Sequence, residues 1–199
     1  MKKTILTLTL GLLVAAQVAF ADPTTTTPAI TKAKAAELTA HRIDRLVSLN
    51  KIDNSFLTKL ATMEVSVLTN QAPAFYKVHV TQTQPAQGQA FQMDVLYDET
   101  GKPLSFLVLP GGTAGPDDGW TGVDSVTLTE NALHYVLDNG VTDSKVAPFY
   151  TGLTTVHLEK GQLSGKAVAQ VQIASSDTNL KLNVYLNLDG TLISVEFVK

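Results

Sequence analysis

Apolar positions change period along the chain, and the changes predict its elements. Ile30, Ala33, Ala36 or Glu37, Ala40, Ile43, Leu46 and Val47 recur every three or four residues. That spacing predicts a long amphipathic helix, with Thr27 as N-cap and Pro28 in its first turn. After a break at 49–54, a short helix is expected over about 55–61, where Asp53 or Asn54 can accept from the free amides. The period then falls to two, which predicts strands at 63–68, 75–83, 90–97 and 103–109, with a hairpin turn at 98–102 around Gly101. The succession then returns. Thr127 and Glu130 have capping-box spacing before a helix over about 128–139, and Gly140 stands where a left-handed C-terminal residue is wanted. Strands are predicted at 153–159, 166–174, 180–186 and 192–198, the last two joined at Asp189-Gly190.

A displacement of 89 positions brings the two stretches into step: Gly101 falls on Gly190, and Met93, Val95 and Tyr97 fall on Leu182, Val184 and Leu186. The apolar parity agrees from 38–110 to 127–199 although few residues are identical, which is the mark of an internal repeat. The expected fold is therefore α+β: two tandem repeats, each a helix plus a short helix packed on one face of an antiparallel β-meander. The first unit spans 29–110 and the second 123–199. The linker at 111–122 is rich in Gly and Asp and holds the one tryptophan, Trp120.

The N-terminal end carries an address. Lys2 and Lys3, an apolar stretch from Ile5 to Val18, and Ala19-Phe20-Ala21 read as a signal peptide over 1–21, followed by a flexible Thr- and Pro-rich leader at 22–28. No later stretch approaches the roughly 20 apolar residues of a spanning helix, so no membrane span is expected. The chain is read as periplasmic or secreted. It has no cysteine, so neither disulfides nor thiolate metal sites are available to it. Its formal charge is −3, falling to −5 once Lys2 and Lys3 leave with the signal peptide. Without a basic stripe, nucleic acid is excluded as a partner.

Chemistry is sparse in this sequence. His41, His79, His134 and His157 lie far apart, none in an H-E-x-x-H or H-x-H spacing, so they are read as surface residues of helices and strands rather than metal ligands. No serine sits in a G-x-S-x-G elbow, and the glycines at 111–115 lack the Lys-Ser/Thr of a phosphate loop. Asp117, Asp118 and Asp124 lack the ligand alternation of a calcium loop and read as a solvated turn. No catalytic residue, metal ligand or cofactor is expected, and the chain is read as not an enzyme.

The hairpins FQMDVLYDETGKPLSFLVL and LKLNVYLNLDGTLISVEFV, each behind a helix, resemble the core of PepSY-type domains. In tandem they are similar in layout to the beta-lactamase inhibitor proteins, which offer a sheet to their target. The resemblance implies an exported, non-catalytic module that binds a protein and inhibits or regulates a peptidase or another envelope protein. The alternative is an envelope-maintenance or carrier protein holding a small apolar ligand between helix and sheet. Strand parity adds candidate contacts. If Phe91, Met93, Val95, Tyr97, Leu104, Phe106 and Val108 face the helix, then Leu96, Leu107 and Leu109 face away, as do Tyr185 and Val198. Either the two sheets join or pack through them, or they form an apolar patch for a partner. Trp120 either plugs the gap between units or anchors the partner. Leu96, Leu107, Trp120 and Tyr185 are thus the candidate partner-binding residues.

Overall fold

The computed structural model describes residues 29–69, 74–83, 92–109 and 122–199. Its elements run α1 (Lys32–Ser48), α2 (Ser55–Thr58), β1 (Leu60–Leu68), β2 (Phe75–Gln82), β3 (Gln92–Tyr97) and β4 (Pro103–Leu109). They continue as α3 (Ser125–Asn139), α4 (Ala147–Gly152), β5 (Leu153–Leu163), β6 (Lys166–Ser175), β7 (Lys181–Leu186) and β8 (Leu192–Val198). The signal peptide, the leader, Phe91 and Trp120 lie outside the described residues. Among those residues, no helix is long and apolar enough to cross a membrane.

The strands form one antiparallel sheet of eight, in the order β4-β3-β2-β1-β5-β6-β7-β8. This corrects the expectation of two α+β repeats, each a meander under its own helices: strand outweighs helix, and both halves of the chain build one sheet over one continuous core. The physical cause is the pairing of β1 with β5. Two separate four-stranded sheets would leave those strands as edges with unpaired backbone groups, and joining them removes both edges. The seam is narrow, with only Thr62–His157, Met63–Val156 and Glu64–Thr155 as cross-strand partners. By contrast, β5 and β6 are partnered at ten positions.

Helices lie on one face of the sheet. α1 packs over β1, β2 and β5, and α3 over β1, β5, β6 and β7, so both cross the seam. They also pack extensively on each other, and Ala33, Ala36, Ala40 and Ala132 of these helices are fully buried in the common core. Ser125, the first residue of α3, ties the halves together: its hydroxyl donates to the Leu57 carbonyl (2.7 Å) and accepts from the Leu60 amide (2.9 Å). Beneath the helices lie Met63, Val78, Val95, Val156, Val171 and Val184, all nearly or wholly inaccessible to water.

Several local expectations are also corrected. The first helix is capped by Thr31, whose side chain accepts from the Lys34 amide. Asp124, not Thr127, caps α3, accepting from the Val126 and Thr127 amides. Gly140 is right-handed (φ −64°), so its smallness rather than its freedom is what matters. A Cβ there would stand 2.3 Å from Tyr150 Cβ. Gly190, by contrast, is left-handed at φ +89° in the last hairpin turn, as strand parity and Asp189 foretold.

Candidate functional site

Two places concentrate polar side chains: the helix-free face of the sheet and the outer edge of the α1–α3 interface. On the helix-free face, strand alternation leaves Glu64, Ser66, Lys77, His79, Asp94 and Leu96 pointing away from the helices on one side of the seam. His157, Gln172, Asn183, Tyr185 and Glu196 do so on the other. An open cleft of about 510 Å³ runs over the seam between Glu64, Ser66, Lys77, His79 and Thr155.

These groups are ordered by one another. Asp94 lies 2.6 Å from His79 Nδ1 and 2.8 Å from Lys77 Nζ. Burial alone would push the Asp94 carboxyl up, but hydrogen bonds from Lys77 and His79, with their charges, outweigh it and hold the carboxyl below its ordinary value. Across the seam Thr62 Oγ1 meets His157 Nδ1 at 3.0 Å. Farther along, Lys181 Nζ donates to Gln172 (3.0 Å), Gln172 to Asn183 (3.3 Å), and the Tyr185 hydroxyl to Glu196 (3.3 Å).

The candidate contacts taken from parity fall on this face but not in one patch. Leu107 is among the most exposed large apolar residues (59 %), and Leu96, on the neighbouring strand, is half-buried. Tyr185 lies five strand spacings away, about 24 Å at the usual inter-strand distance, and is half-buried with its hydroxyl engaged. The centre of the face between them is polar. The two halves do join, but edge to edge through β1 and β5 and not through these residues.

The second place gathers two of the histidines, which lie exposed on their helices as the sequence led us to expect. His41 and His134 are remote in sequence, yet α1 and α3 bring them to a ring-centroid separation of 6.5 Å. Each stands four residues after a glutamate on its own helix, Glu37 and Glu130, which puts each Glu-His pair on one helical face. His41 Nε2 lies 2.9 Å from Glu130 Oε1 and 3.3 Å from Glu37 Oε1. His134 Nε2 lies 3.7 Å from Glu130 Oε1 and 3.6 Å from Glu37 Oε1. The signal was present as E-x-x-x-H twice. It escaped because the displacement of 89 sets His41 against Glu130, leaving the matching pairs one helical turn out of step.

The burial of these four groups differs. The histidines are exposed, the Glu130 side chain is 18 % exposed and that of Glu37 only 6 %. Glu37 Oε2 lies 2.6 Å from Lys34 Nζ, but in a geometry that makes no hydrogen bond, and it is sealed from water. Of the other candidate acids, Asp124 is occupied as the α3 cap, while Asp117 and Asp118 lie outside the described residues.

Comparison with protein-family models, curated proteins and solved structures finds no match to this chain.

Proposed function

We propose that this chain is an exported, non-catalytic binding module that docks a protein partner on the helix-free face of its sheet. One observation carries the reading: eight strands present one face that no helix covers among the described residues, and its polar groups are held in place by their own hydrogen bonds. Groups ordered before docking lose little entropy on binding. Seven strand spacings by six residues give an area of roughly 700 Å², close to the ~800 Å² each partner contributes to a standard interface. The mixed charges of Lys77, Asp94, Glu64 and Glu196 suit a polar protein surface with Leu107 and Leu96 at its rim. The resemblance to PepSY-type domains directs the search toward a peptidase or another envelope protein.

The test is capture from an envelope extract by the wild-type chain and by Leu107→Lys, followed by affinity measurement on the purified pair. A protein retained stoichiometrically by the wild type, and bound about 1–3 kcal/mol more weakly by the variant at unchanged melting temperature, is the expected result. Equal affinity for both chains would move the contact off this face. A lipid released in native mass spectrometry, with no protein retained, would favour the carrier reading.

A further inference from the structure

We infer that Glu37, His41, Glu130 and His134 form a binding site for a divalent transition-metal ion of the zinc class, bridging α1 and α3. The inference is independent of the docking face, which lies on the other side of the sheet.

Three observations converge. First, one ligand atom from each of the four residues lies within 4.8 Å of the other three. Four ligands held 2.0–2.1 Å from a zinc ion at tetrahedral corners stand about 3.3–3.4 Å apart. The four imidazole-to-carboxylate separations, from 2.9 to 3.7 Å, bracket that value. Small side-chain adjustments would therefore close the shell without moving the helices. Second, Glu37 is a buried carboxylate whose Oε1 points at both imidazoles while its Oε2 lacks an aligned donor. A buried carboxylate is costly unless its charge is met. Lys34 meets part of it from the Oε2 side and leaves Oε1 turned toward the histidines.

Third, the donor set selects the metal. Two imidazoles and two carboxylates, with no thiolate in the chain, favour zinc or a neighbouring first-row ion over calcium and magnesium, which take oxygen ligands alone. Two carboxylates also balance the charge of a divalent ion. The exposed histidines form the entrance and Glu37 the floor, so an ion can enter from solvent. With four protein ligands the shell is closed, as in structural rather than catalytic zinc sites. The bound ion would clamp the two helices that cross the β1–β5 seam.

The experiment titrates the full chain, without a polyhistidine tag and after dialysis against EDTA, with zinc in a calorimeter. One zinc per chain is expected, with binding weakened in His41→Gln and in His134→Gln by at least the roughly 10–100-fold that loss of even an outer-shell partner costs. His157→Gln should bind like the wild type. Zinc at a hundredfold excess over Kd should raise the wild-type melting temperature by roughly 5–10 °C. Both ligand histidines are exposed, so their variants should melt like the metal-free wild type. Cobalt(II) added to the wild-type chain checks the shell without any substitution, since four-coordinate cobalt absorbs visible light far more strongly than six-coordinate. No zinc uptake, uptake unaffected by both histidine variants, or a weak six-coordinate spectrum would each overturn the site and leave the four residues as an ion-pair cluster.

Discussion

The two faces of the sheet are made from alternate residues of the same strands, yet they follow different rules. On the covered face, Val95 and Val184 are wholly buried and are held by shape and exclusion of water. On the open face, their chain neighbours Asp94 and Asn183 hold position through hydrogen bonds to Lys77, His79 and Gln172. Asn183 is only 5 % exposed although no helix covers it, because its strand neighbours do. Burial alone therefore does not separate core from surface in this protein; what fills the space around a residue does.

The sharpest break of that comparison is Val184→Asn against Asn183→Ser. The first places an unpaired amide under the helices and should cost about 3 kcal/mol, lowering the melting temperature by roughly 6–12 °C. The second removes one polar partner from a face that tolerates water and should cost about 1 kcal/mol. Equal losses in thermal melts would mean that both faces are packed as core.

Alkaline titration gives the next largest effect. Burial pushes the Tyr97 hydroxyl up to about 12, outweighing the hydrogen bond shared with Thr39 and the nearby Arg42 charge. The unfolded chain releases this proton near pH 10, whereas the folded chain keeps it. Stability from this group is thus complete below pH 10 and lost as pH rises toward 12, by about 2–3 kcal/mol in all. Urea melts between pH 9 and 12 should show the decline, and Tyr97→Phe should flatten that part of it. The smallest effect belongs to the open face. Leu107→Lys, on an edge strand exposed along most of its length, should shift stability by less than about 0.5 kcal/mol.

Strand alternation was the legible part of the sequence. Met93, Val95 and Tyr97 lie under the helices as their spacing required, and β4 and β8 begin and end where periodicity put them. What escaped depends on partners remote in the chain. Periodicity says which way Met63 points but not that its strand will pair with Val156, so the β1–β5 seam was not foreseen. For the same reason, the repeated E-x-x-x-H spacing marks two Glu-His pairs but not that they meet across two helices. Leu96 and Tyr185 were rightly assigned to one face, but their separation depends on strand order, which alternation does not encode.

The narrow β1–β5 seam also bears on the order in which the molecule assembles. Every other ladder joins strands consecutive in the chain, whereas the seam joins residues far apart, Thr62 and His157 being 95 positions from each other. Closing so long a loop for three residue pairs is costly until α1 and α3 can dock across it. The expected order is meanders first and seam last, with the Ser125 bridge to Leu57 and Leu60 forming on the late side of the transition state. Ser125→Ala should therefore speed unfolding and leave the folding rate nearly unchanged in stopped-flow chevrons. A matching slowdown of folding would instead place the seam in the nucleus.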